Sequence, residues 1–177
     1  MYRAAFYLCV AVSLASAATL QRLSLDDMIV KSTAIVYGRV TGSSAAVAGR
    51  MIYTHYTVQV NETLKGSAAG TLDVVVPGGF ARGFQQIFPG APTLSTSQNY
   101  VLFLWTGPSG LTQIIGLSQG LFSVVSEQNG QMMATRAPSH ELMLDRTGKR
   151  VQDEMLQMPL ATLKSRVRLT LSSGGPK

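Results

Sequence analysis

The chain has 177 residues, 46% hydrophobic and 14% charged, with a formal net charge of +6 and one cysteine. That length suits one domain able to bury roughly 70% of its unfolded surface, so a self-sufficient core needs no staple, and a lone cysteine excludes an intrachain disulfide framework. The basic charge is dense only at Arg146, Lys149, Arg150 and at Lys164, Arg166, Arg168, and acids interleave with the first cluster, so nucleic-acid binding is not expected.

Met1-Tyr2-Arg3 is a short basic start, Ala4 to Leu14 is an apolar run too short to span a bilayer, and Ala15-Ser16-Ala17 is a small-x-small cleavage pattern. These predict a signal peptide over residues 1–17, cut after Ala17, and an exported domain, periplasmic or secreted, over 18–171 with a flexible tail over 172–177. Cys9 leaves with the leader and does not sit in a lipobox. The loss of Arg3 lowers the net charge from +6 to +5. No second apolar run is long enough to cross a membrane.

Ser24 before Asp26 and Asp27 reads as a capped helix start, with acids facing the positive end of the dipole and Leu25, Met28 and Ile29 as its apolar stripe. From Ala34 the period changes to two, with Ile35, Tyr37 and Arg39 alternating with Val36, Gly38 and Val40. Gly42 to Gly49 reads as a small-residue turn. Ile52 to Leu64 is a strand whose core face is Ile52, Tyr56, Val58 and Val60, followed by a turn at Lys65 to Gly70 and a strand at Leu72 to Val76 that Pro77-Gly78-Gly79 stops. Tyr100 to Trp105 is a continuous apolar run, the pattern of a central strand covered on both faces.

Gln113 to Leu117, Leu121 to Ser126 and Gln131 to Thr135 follow as short strands, and Asn129-Gly130 marks a hairpin. After Pro159 the residues Leu160, Leu163, Val167 and Leu171 recur at helical spacing, opposite Lys164, Arg166 and Arg168. The pattern predicts a mainly β domain: an OB-like barrel of five to seven strands, a short N-terminal helix, and a C-terminal amphipathic helix docked on it. In that barrel Val101 and Phe103 are expected to share one core with Ile52, Tyr56, Val58 and Val60.

Gly38-Arg39-Val40, Leu64-Lys65-Gly66, Val74 to Gly79 and Tyr100 to Leu104, followed by Gly116 and Gln119-Gly120, resemble the motifs of a group of uncharacterised exported bacterial proteins. The likeness covers roughly residues 23–125. In outline the chain is also similar to the netrin and metalloproteinase-inhibitor module, which implies an OB-like barrel with flanking helices. Ser97-Gln98-Asn99-Tyr100 departs from the group's Gly-Glu-x-Tyr. Ala18 stands where the inhibitors need a zinc-chelating cysteine, so that mechanism does not carry over. An inhibitor-like partner of an extracellular protease stands as an alternative role.

Gly116-Leu117-Ser118-Gln119-Gly120 matches a nucleophile elbow, with Glu127 and His140 following in hydrolase order. An elbow needs a strand running into a helix, and Leu121 to Val125 reads as strand, so the motif is read as a turn and the chain as no enzyme. A serine hydrolase on Ser118 is the enzymatic alternative. His55 and His140 have no ligand spacing, so neither metal nor cofactor is expected. The segment from Gly78 to Gln98 has no clear element, and loops of that length are functional or packed as covers. Its Phe80, Arg82, Phe84 and Phe88 are the candidate binding residues, suited to an extracellular protein or an envelope polymer. The competing expectation, which the sequence favours, is that the aromatics plug an open barrel mouth.

Overall fold

The computed structural model describes residues 19–68 and 70–174, so the expected signal peptide, the expected cleavage after Ala17 and the end of the expected tail lie outside the described residues. After β1 (Thr19–Gln21), Ser24 caps α1 (Leu25–Lys31) reciprocally: the Asp27 backbone N–H donates to the Ser24 hydroxyl at 3.0 Å, and the Ser24 backbone N–H donates to the Asp27 carboxylate at 3.1 Å. This exchange satisfies two amides that the first helical turn leaves without partners.

Two long strands follow, β2 (Ala34–Ala48) and β3 (Met51–Lys65), then β4 (Thr71–Pro77). The expected turn at Gly42 to Gly49 is corrected here. Ser43 to Ala48 continue the β2 ladder opposite Met51 to Tyr56, and only Gly49-Arg50 turns the chain. Backbone pairing with the β-branched and aromatic partner strand outweighs the weak strand preference of Ser and Ala. Register shifts at Ile35/Val36, Tyr37/Gly38 and Val40/Gly42 curl β2. Gly38 permits the tight coil, since a Cβ there would lie 2.6 Å from the Gln59 carbonyl oxygen.

The segment read as a loop holds a small hairpin of its own, β5 (Gly79–Ala81) and β6 (Phe84–Gln86). Beyond it come β7 (Asn99–Thr106), β8 (Thr112–Ile114), β9 (Leu121–Ser126) and β10 (Met132–Arg136), with Asn129-Gly130 turning β9 into β10. The last strands are β11 (Leu142–Leu144), β12 (Arg150–Val151) and β13 (Leu156–Pro159), and α2 (Leu160–Ser172) ends the described chain. The main sheet runs β13-β10-β9-β7-β2-β3-β4, with β8 also on β7; β1, β11 and β12 form a second sheet. The fold is mainly β, as expected, but the hydrogen-bonded path has two free ends and does not close. β4 and β8 lie side by side without a ladder, flanking a cleft of about 240 Å³ lined by Val75, Pro77, Trp105 and Ile114.

β7 is buried from Tyr100 to Leu104 and feeds two cores, while Trp105, expected to be covered with them, is 43% exposed. Val101 and Phe103 face the helices, with Ile35, Phe122, Met28, Leu163 and Val167; Phe103 and Phe122 have ring centroids 5.5 Å apart. Tyr100, Leu102 and Leu104 face the other way, against Val36, Tyr56, Val58, Val74 and Val76. The expectation of one core uniting Phe103 with Tyr56 and Val58 is therefore corrected. Adjacent residues of a strand point to opposite sides, and this sheet buries both. In α2 the buried stripe is Leu160, Leu163, Val167 and Thr170, whereas Leu171 is 37% exposed, so the stripe closes one residue earlier than the apolar spacing suggests.

Candidate binding surface at the β5–β6 hairpin

The hairpin owes its shape to Arg82-Gly83. Both residues have positive φ, 52° and 80°, as a two-residue turn matched to strand twist requires, and Ala81 pairs with Phe84 across them. Gly78 and Gly79 set its entry. The Gly78 N–H donates to the Ile52 carbonyl at 2.7 Å, and a Cβ on Gly79 would come within 2.5 Å of Thr54 Oγ1. Side chains then pin the ribbon to the end of the β2–β3 hairpin. The Ile52 N–H donates to Gln86 Oε1 at 2.6 Å, Thr54 donates to the Gly78 carbonyl at 2.8 Å, and Ala81 is buried.

What this anchored ribbon presents is apolar. Phe80 is 67% exposed, Phe84 72%, Ile87 76% and Phe88 41%. The plug expectation is corrected: Phe80 and Phe84 lie open to solvent, and Leu94, at 4% exposure, is the residue of this segment that joins the core of Tyr56 and Leu102. A concavity of about 300 Å³ lined by Tyr56, Val76, Pro77, Ile87, Phe88 and Pro92 opens beside the aromatics, and one of about 310 Å³ lies between Phe84 and the β2–β3 tip at Val47 and Arg50. All of the sequence-predicted binding residues thus belong to, or directly follow, one hairpin. Ile87 and Arg50 join them. Ile87 was legible only as one apolar residue among several, and Arg50 only once the long β2–β3 hairpin had placed its tip there.

Most acids carry basic partners: Asp26 with Arg166 at 2.6 Å, Asp27 with Arg146, Glu62 with Lys164 at 2.5 Å, Asp153 with Arg136 at 2.5 Å and Asp73 with His55 at 2.8 Å. The hydrogen bond from Arg166 holds the Asp26 carboxyl below its ordinary range. No Asp or Glu occurs between Asp73 and Glu127. Glu141 reaches the far end of the segment and lies against Gly90, with Oε2 sealed from solvent. Arg50 and Arg82 make no ion pair among the described residues.

The Ser118 motif has a packing role. Gln119, 1% exposed, accepts from the Leu23 N–H at 2.8 Å and donates to the Gln21 carbonyl at 3.0 Å, tying the turn to the β1–α1 link. A Cβ on Gly116 would meet Gln119 Nε2 at 2.8 Å, and one on Gly120 would meet the Phe103 carbonyl oxygen at 2.8 Å, so both glycines are required by close approach. Strand β9 follows, not a helix. Among the described residues, Ser118 Oγ has no hydrogen bond to Glu127 or His140, and no group of three or more His, Cys, Asp or Glu is arranged to hold a metal ion.

No protein-family model, curated protein or solved structure matches this chain. The functional reading therefore rests on the hairpin's own chemistry.

Proposed function

We propose that the chain is an exported, non-enzymatic binding module on an OB-like scaffold, and that the β5–β6 hairpin is its recognition surface for a partner in the envelope or the surrounding medium. The observation that carries this reading is the exposure of Phe80, Phe84 and Ile87 on a ribbon fixed by Gln86 and Thr54. Several large apolar side chains exposed on one short ribbon mark an interaction site, and a pre-ordered ribbon loses little entropy on binding. The barrel reading is supported by the way β2, β3, β4, β7 and β8 surround the core of Val36, Tyr56, Val74, Leu102 and Ile114, with β4 and β8 in contact. The leader pattern supports export.

The test is retention of the immobilised protein's partners from the envelope fraction and culture supernatant of its own host. Wild type should capture a reproducible component, and Phe84→Ala should lose it. Identical capture by both would remove the hairpin from the account.

A further inference from the structure

The hairpin's two faces say more than its exposure does. In the β5–β6 register Phe80 lies opposite Gln85 and Ala81 opposite Phe84, so Phe80 and Phe84 stand on opposite faces of a two-stranded ribbon, with Ile87 and Phe88 continuing from its second strand. A flat protein surface covers one face of such a ribbon and leaves the other wet. A fluid bilayer boundary closes around whatever projects into it, and so takes up exposed side chains on both.

The charge around the tip is also of one sign. Arg82 occupies the turn itself and Arg50 the neighbouring β2–β3 turn, and no acid occurs from Val74 to Ser126. Arginines on either side of an apolar tip can bury their stems while their guanidinium groups stay with anionic headgroups. At the opposite end, Asp26, Asp27 and Glu62 are neutralised by Arg166, Arg146, Lys164 and Arg168. Arg50 and Arg82, which make no ion pair among the described residues, set positive charge beside the exposed aromatics and so favour a negative surface at the hairpin.

Resting on the reading of the hairpin as a binding surface, we infer that it is an interfacial wedge that seats the protein on an anionic lipid bilayer. Phe80, Phe84 and Ile87 enter the boundary between headgroups and acyl chains, and Arg82 and Arg50 contact the phosphates. Binding of this kind scales with apolar area buried plus attraction to anionic lipid. Each arginine near the surface contributes about fivefold in partition coefficient, equivalent to about 1 kcal/mol.

Co-sedimentation of the full, purified protein with phosphatidylcholine vesicles, with and without phosphatidylglycerol, tests this. Wild type should sediment with the anionic vesicles, and less so as salt is raised. Phe80→Ala/Phe84→Ala should lower the partition coefficient by about tenfold or more. Arg82→Asn, which tolerates the left-handed turn, should lower it about fivefold on anionic vesicles only. Free glycerol phosphate should not compete, because insertion and not headgroup capture supplies the apolar part. Wild type that ignores anionic vesicles, equal sedimentation of the aromatic variant, or full competition by glycerol phosphate would each overturn the wedge. If vesicles are ignored while an envelope polymer or protein is still captured through the hairpin, the wedge fails and the recognition surface stands. If hairpin variants alter neither, both fail.

Discussion

Phe103 is the place to test whether the sheet separates two cores. It is fully buried, and its ring meets Phe122 with centroids 5.5 Å apart at an interplanar angle of 47°. Truncation to alanine removes a whole ring from a close-packed site and is expected to cost about 3–5 kcal/mol. A Phe103→Ala/Phe122→Ala pair would approach the whole stability of such a domain, about 5–15 kcal/mol, and leave no folded state to measure. The cycle is better run with leucine. Phe103→Leu and Phe122→Leu keep most of the volume and lose the aromatic pair, whose coupling is expected to be about 0.5–1.5 kcal/mol. Phe103→Leu with Tyr56→Leu should be additive within about 0.5 kcal/mol, because those rings lie on opposite sides of β7. Urea denaturation, with midpoint and slope fitted separately, reads all of these values. Coupling of Phe103 to Tyr56 as large as that to Phe122, or none to Phe122, would refute the division of the core.

The sealed pair of Arg136 and Asp153, with side chains 2% and 1% exposed, predicts that Asp153→Ala costs about 3–5 kcal/mol, because Arg136 is left as an uncompensated buried charge; Arg136→Met/Asp153→Leu should cost clearly less, as urea midpoints would show. Arg166 depresses the Asp26 carboxyl in the folded state, so the stability it contributes is present above the ordinary value of 3.8 and lost as pH falls through the lower folded value; Asp26→Asn should flatten that part of the acid-denaturation curve. Intact mass of exported material should correspond to a chain beginning at Ala18, with no thiol and no lipid, whereas a mass retaining Cys9 would contradict the export reading.

The legible parts of the fold were those where local pattern and tertiary burial agree. Tyr100 to Leu104 reads as a central strand because both its faces are covered, Ser24 and Asp27 announce their cap, and Asn129-Gly130 announces its hairpin. The second half of β2 was hidden because Ser43 to Ala48 are small and weakly strand-forming, and only the partner strand makes them extended. β1, β11 and β12 have two or three residues each, too short for any period to show, and β1 reaches β11 through a parallel pairing across most of the chain. The burial of Arg136 depends on Asp153 arriving from another segment, which no local pattern reports. At the candidate site the residues were legible and their setting was not. Aromatics in an irregular segment read as interior by default, and Arg82-Gly83 lacks the Asn-Gly or Asp-Gly form that signals a tight hairpin.

The central claim, that the hairpin aromatics belong to a surface that binds and not to the core, is tested most directly by measuring stability and partner retention together on Phe80→Ala/Phe84→Ala, the two most exposed rings of the hairpin. Buried rings would cost about 3–5 kcal/mol each, more than most such domains can lose, whereas exposed ones change stability by about 0.5 kcal/mol each or less. The account predicts a urea midpoint close to that of wild type and loss of capture from the envelope fraction and the culture supernatant. A variant that unfolds or loses several kcal/mol, or one that stays folded and captures as wild type does, would contradict it.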